Sequence, residues 1–230
     1  MSLLLEVIVQ SVADARAAAL GGADRLEIVR EIEREGLTPS LDLVRAIASE
    51  TDLPLRVMVR ESDGFSVADR RELVMLQTAF AAFAEIGVDG AVLGFATNRA
   101  LDLEMTTAIV AISPSLRVTV HRAFDDAADP AAAISALRAL PQVDRILTTG
   151  GFGKWEQRCL RLQAYARLAG SDLTIVAGGG IDVAEINSLV GCGLVGEVHT
   201  GRAAREPRLP SAPVSAGRVR QLKDAASALR

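Results

Sequence analysis

Short apolar runs alternate with longer amphipathic stretches along this chain. The runs lie near Leu3 to Val9, Arg25 to Val29, Leu55 to Arg60, Ala91 to Phe95, Arg117 to His121, Arg145 to Thr149, Leu173 to Ala177 and Glu197 to Thr200. Brief, bounded and rich in Val, Ile and Leu, they read as strands. Between them, stretches such as Arg71 to Ile86 and Cys159 to Leu168 place apolar residues at helical spacing. Strand starts recur every 20 to 35 residues or so, about the spacing of βα units with parallel strands and crossover helices. Eight such units predict an α/β fold, a TIM-type (βα)8 barrel, with residues 1–230 as one domain.

The junctions repeat a phrase. Gly-x-Asp followed by an apolar run occurs in GGADRLEIV from Gly21 and GVDGAVLGF from Gly87. QVDRILTTG from Gln142 lacks the glycine, and GCGLVGEVHTG from Gly191 lacks the aspartate. A glycine tolerates the left-handed conformation that a helix stop requires, so each copy reads as a helix end turning into a strand. Helix starts are marked too. Ser11 with Asp14 resembles a capping box, and Thr38 before Pro39 predicts a cap and a first-turn proline. The proline-rich stretch Glu206 to Pro213 reads as a loop that closes the barrel before a last helix.

Composition narrows the function. The chain has 230 residues, half of them hydrophobic, which suffices for a large core. A net charge of -4 and 3% aromatic residues argue against a nucleic-acid surface. Cys159 and Cys192 are too few for a disulfide framework and suit a reducing compartment. MSLLLEVIVQ has no basic start, carries Glu6 within its apolar run and is too short for a signal peptide or a membrane span. A cytoplasmic protein without membrane contact is the expectation.

Parallel strands covered on both faces are usually almost continuously aliphatic. Here they are not. Residues two apart share a face, so Arg56, Met58 and Arg60 point together, as do Thr119 with His121 and Glu197 with His199. Glu6 and Glu27 are single acids in apolar strands. Facing the axis, such charges must pair or lose their charge. One reading is an internal ion-pair network in which Arg56 and Arg60 neutralise Glu6 and Glu27. The other is functional, because barrel active sites are built at the C-terminal ends of strands. That criterion favours Arg60, His121, Arg122, Thr148 and His199 over Arg25 and Arg56, which lie near strand starts.

Glycines form a second group. Strand six ends in TTGG (Thr148, Gly150), strand seven runs into Gly178, Gly179 and Gly180, and strand eight ends in Gly201 and Arg202. Small residues let backbone N–H groups approach an anion, and barrels bind phosphate in the loops after strands seven and eight. The alternative is a tight turn before a helix beginning near Asp182.

LEVIVQSVADARAAALGGADRLEI, EGLTPS, VTVHRAFDDAADP, VDRILTTGG and GEVHTGRA together resemble the CutC family, named for a proposed role in copper homeostasis. The resemblance runs from near the N-terminus to about Arg202. It implies a TIM-type barrel, a cytoplasmic location and a homo-oligomer, with a dimer as the expected state. The family's polar positions fall on Glu6, Glu27, Arg60, His121, Arg122, Asp125 and His199. Where relatives carry cysteines two residues after each strand glutamate, this chain has Ile8 and Val29. After the third strand, RESDGF keeps Arg60 but has Glu61 and Ser62 in place of a proline and a second basic residue. Cu(I) prefers thiolate and thioether ligands, and Met58, Met75, Met105, Cys159 and Cys192 do not obviously converge.

Two functions remain open at this point. One is a metal-handling protein for copper or a harder divalent ion, with His121, His199 and the glutamates as ligands. The other is a lyase, isomerase or hydrolase acting on a small carboxylated or phosphorylated molecule. Arg60 and Arg122 would hold the anion, and His121 or Glu27 would move a proton.

Overall fold

A computed structural model describes residues 2–190 and 195–227. Eight parallel strands close into a barrel in sequence order: β1 (Leu4–Val9), β2 (Arg25–Ile28), β3 (Leu55–Met58), β4 (Gly90–Leu93), β5 (Arg117–Val120), β6 (Val143–Thr148), β7 (Thr174–Ala177) and β8 (Glu197–Thr200), which pairs with β1. All eight strands predicted from the apolar runs are present, as the TIM-type barrel requires. A two-stranded hairpin, Ala96–Thr97 with Ala100–Leu101, follows β4.

Helices cover the outside: α1 (Val12–Gly21), α2 (Leu41–Ala48), α3 (Arg70–Ile86), α4 (Leu103–Val110), α5 (Pro130–Arg138), α6 (Trp155–Ala169), α7 (Val183–Val190) and α8 (Ala216–Ser227). Ser11 caps α1 by accepting from the Asp14 N–H at 3.0 Å. The helix stops at Gly22 (φ 92), as α3 stops at Gly87 (φ 82), so two copies of the repeated phrase start where a left-handed residue is needed. The fourth copy begins outside the described residues, as does Cys192. Thr38 caps no helix; Ser40 caps α2. The Thr38 hydroxyl instead donates to the Arg60 carbonyl at 2.9 Å and accepts from the Arg60 N–H at 2.9 Å, tying the β2 loop to the end of β3.

Period-two alternation splits the apolar residues into two bodies. Leu5, Val7, Leu26, Ile28, Val57, Leu93, Val118 and Val198 point outward into the core shared with the helices. Inside the barrel lies a separate small cluster of Val29, Met58 and Val92, with Ile8 and Ile32 against it. The closing loop is anchored on this architecture. Buried Arg205 reaches Asp14 Oδ2 (3.3 Å) and the Ile8 carbonyl (3.2 Å), and the Val214 N–H donates to Asp14 Oδ1 at 2.9 Å.

The interior near the strand starts is ionic. Register places Arg25 beside Glu6, and Arg25 binds both Glu6 and Glu197. Arg145 joins Glu197 at 2.9 Å and also binds Asp144. Arg56 holds Asp144 at 2.8 Å and Asp89 at 2.7 Å. An internal network therefore exists with different partners from those expected. Arg25, not Arg56 or Arg60, neutralises Glu6, because it is the in-register neighbour across β1 and β2. Arg56 reaches the aspartates at the starts of β4 and β6, and Arg60 meets no acid at ion-pair distance among the described residues.

Candidate functional site

Above this network, at the C-terminal ends of the strands, opens a cavity of about 550 Å³. Glu27, Arg60, His121, Arg122, Gly179, Gly180, His199, Gly201 and Arg202 line it, together with an apolar wall from Ile8, Met58, Phe65, Leu147 and Ile181. Nine residues singled out in the sequence thus converge.

His199 occupies the floor. Its Nδ1 lies 2.7 Å from Glu6 Oε1 and its Nε2 lies 3.3 Å from Glu27 Oε2, with all three side chains buried. Burial opposes charge on Glu6, but Arg25 and His199 outweigh it and hold this carboxyl far below the usual range. Burial also opposes the imidazolium of His199, and there Glu27 and Glu6 prevail, raising its pKa. Glu27 has no arginine at ion-pair distance among the described residues. Burial pushes it up to about 7, and Glu6 adds to the rise. Its Oε1 is buried with no hydrogen-bond partner among the described residues.

His121 follows β5 and is the first turn's cap for a short 3-10 helix, Arg122–Asp126. Its Nδ1 accepts from the Ala123 N–H at 3.2 Å. Burial, then the Arg60 charge, drives its pKa down to about 3, so the ring is neutral. A neutral imidazole that accepts at Nδ1 carries its proton on Nε2. That Nε2–H is buried without an acceptor among the described residues. Phe65 packs its ring 5.2 Å from the His121 ring and 5.7 Å beneath the Arg60 guanidinium. Arg60 donates to the carbonyls of Gly64 (3.0 Å), Arg34 (2.8 Å) and Gly36 (3.0 Å), which fixes a buried cation without neutralising it.

The remaining expected positions lie behind the lining. Glu6 orients His199. Parity turns Leu147 inward and Thr148 outward, where its hydroxyl meets Asp125. Asp125 also accepts from the Thr149 N–H at 3.1 Å, joining the β5 and β6 loops. Gly178 is backed by Leu147, and Gly150 by the Arg158 carbonyl; any Cβ there would lie 2.6 and 2.7 Å from them. Glu33, Glu35, Phe65, Asp182 and Arg208 line the cavity without having been singled out. They come from loops, where strand parity gives no signal, although Phe65 is a lone aromatic just after Arg60.

The residues present do not fit copper. Both His199 nitrogens are engaged by carboxylates, and His121 is protonated on Nε2. Ile8 and Val29, at the expected cysteine positions, belong to the interior apolar cluster beside Met58. Cys159 is buried in α6. Among the described residues no group of three or more His, Cys, Asp or Glu is placed to hold a metal ion. Among the same residues no helix is long and apolar enough to cross a membrane.

Fold and cavity define a parallel (βα)8-barrel protein with a polar site at the C-terminal ends of its strands. Residues 3–204 match the CutC family model, and the chain belongs to the CutC family. A CutC family protein of Xanthomonas campestris pv. campestris (strain B100) is 33% identical over 186 residues, covering 80% of this chain and 77% of the relative. A human protein named copper homeostasis protein cutC homolog is 32% identical over 179 residues, covering 77% of this chain and 65% of its own length. The solved CutC structure from Streptococcus agalactiae superposes with a TM-score of 0.79 at 24% identity, covering 87% of this chain and 98% of that one.

Proposed function

We propose that this CutC family member is an enzyme that binds a small anionic metabolite in the barrel mouth and exchanges a proton with it. The observation that carries this is Glu27. Its carboxyl is buried, has His199 as its ion-pair partner and an Oε1 without a hydrogen bond among the described residues, and takes a pKa of about 7, so both protonation states are populated at neutral pH. Arg60 supplies a fixed, unneutralised cation in the same cavity, and the His121 Nε2–H supplies a donor that stays neutral. These are the parts of a site for a carboxylated or phosphorylated ligand. Glu6, Glu27, Arg60, His121 and His199 form its working set, with Arg122 and Arg202 at the mouth and Asp125 as a loop brace. The copper role in the relatives' names is the second reading, and the donor set speaks against direct Cu(I) ligation.

A thermal-shift screen of phosphorylated and carboxylated metabolites tests the proposal. A ligand at one hundred times its dissociation constant adds roughly 2.7 kcal/mol. The stabilisation is expected to vanish in Arg60→Met. In heavy water the wild type, but not Glu27→Gln, should introduce deuterium into the ligand. A screen with no stabilising ligand, or exchange undiminished in Glu27→Gln, overturns the proposal.

A further inference from the structure

The loops after β7 and β8 carry a feature that proton transfer does not use. The backbone N–H groups of Gly179, Gly180, Ile181 and Gly201 donate to no acceptor among the described residues, and all four residues line the cavity. Their direction follows from Arg158 on α6. Its Nη2 donates to the carbonyls of Gly178 (2.9 Å) and Gly179 (2.8 Å), and its Nε donates to Thr149 O at 2.7 Å. In a trans peptide the C=O and the following N–H point in opposite directions. With both carbonyls held toward Arg158, the N–H groups of Gly179 and Gly180 point away from it, off the helix side. Both glycines have positive φ (74 and 83), which lets consecutive amides turn this way. Arg202 lies beside them with no carboxylate at ion-pair distance among the described residues.

The same cavity holds an independent sign of a ligand. His121 is 4% exposed and Glu27 2% exposed, yet His121 Nε2 and Glu27 Oε1 have no partner among the described residues. A buried unpartnered donor and acceptor are expensive to leave unmade, and a bound molecule satisfies them. The cavity thus has unbonded amides and a cation without an ion-pair partner among the described residues along one pair of loops, and an unpartnered acceptor and donor from β2 and the end of β5.

We infer that the cavity takes a phosphomonoester, its phosphate on the amides of Gly179, Gly180, Ile181 and Gly201 beside Arg202, and its reactive end against His121 and Glu27. This rests on the proposed function and names its substrate class. Arg158 is then a positioning residue, acting on the phosphate through the carbonyls it holds. Three carboxylates also line the mouth: Asp182 is engaged with Arg208 and Arg218 and Glu35 with Arg122, while Glu33, on the β2 loop, has no ion-pair partner among the described residues.

Inorganic phosphate is the probe, titrated at pH 7 into the full chain and followed by 31P line broadening, with acetate as the comparison anion. Arg202→Ala and Gly180→Asp are each expected to weaken phosphate at least about tenfold, since a charge-assisted hydrogen bond is worth about 1.5–3 kcal/mol. Gly180→Asn, which tolerates the left-handed backbone and adds no charge, should bind more tightly than Gly180→Asp. Arg158→Met should weaken phosphate but leave acetate unchanged. Phosphate that binds no better than acetate, or equally well in wild type, Arg202→Ala and Gly180→Asp, overturns the inference. If carboxylates still bind through Arg60 in that case, only the phosphate assignment fails. If no anion binds at all, the proposed function fails with it.

Discussion

Glu27→Gln isolates the least compensated charge in the barrel. The substitution keeps the volume and keeps an oxygen able to face His199 Nε2, but it removes titration. In the folded protein the Glu27 pKa is raised from 4.5 to about 7 by burial, against His199, whose cationic form favours ionisation. A group raised on folding contributes stability that is complete below its unfolded pKa and is lost as pH rises through its folded pKa. The full loss is about 3 kcal/mol at 1.36 kcal/mol per pKa unit. Between pH 5 and pH 8, where the unfolded carboxyl is already mostly ionised at the lower end, roughly 2–3 kcal/mol remains to be lost.

Urea unfolding of both proteins at pH 5 and pH 8 measures this. The stability difference is expected to move in favour of Glu27→Gln by that amount on going to pH 8. Glu6 and Arg25 are present in both proteins, so their contributions cancel to first order. His199 responds to the loss of its neighbour, and repeating the comparison in a His199→Gln background removes that term. Parallel pH dependences in both backgrounds would mean that Glu27 is not destabilised by burial, and the acid–base role would lose its physical basis.

The ionic floor and the backbone are open to similar tests. Arg25→Met leaves Glu6 with His199 alone and Glu197 with Arg145 alone, and should cost roughly 3–5 kcal/mol in urea unfolding, with part regained in Arg25→Met with Glu6→Gln; an unchanged midpoint would refute the network. Gly87→Ala places a Cβ in open space at φ 82, so its expected cost of about 1 kcal/mol is backbone strain alone and should appear as a lower Tm. Equilibrium dialysis against Cu(I), followed by metal analysis, should give no binding that depends on His121 or His199. Stoichiometric copper lost in His121→Ala and His199→Ala would reverse the reading of the donor set.

Architecture was legible because the βα units carry local signals: a short apolar run, a helical stripe and, after α1, α3 and α6, a glycine stop. Site membership was legible where it follows from parity on strands, as for Glu27 and His199. Parity also places Leu147 inward and Thr148 outward, a distinction that position near a strand end alone does not make. Partner choice was less accessible. Arg25 neighbours Glu6 only through the β1–β2 register, and register is a tertiary fact. The reach of Arg56 to Asp89 and Asp144 depends on a long side chain following the barrel wall toward the strand starts. Glu35 and Phe65 enter the site through loops whose course no periodicity encodes. Thr38 shows the converse: a sequence with good capping chemistry was diverted, because its hydroxyl satisfies both backbone groups of Arg60.

Charge matching across the barrel separates compensated from uncompensated residues more sharply than position does. Glu6 and Glu197 are met by Arg25 and Arg145, and Asp89 and Asp144 by Arg56, so the floor is compensated. Two buried groups of opposite sign are left over, Glu27 and Arg60, and they line one cavity without reaching ion-pair distance of each other. If burial and packing alone governed the interior, contact between them would relieve the desolvation of both. Instead three backbone carbonyls anchor the Arg60 guanidinium, and Glu27 is held against His199. A cation and an acid that are fixed, desolvated and kept apart present complementary charge to a third body between them. That geometry is the physical reason behind the proposal of a ligand at this floor–mouth boundary.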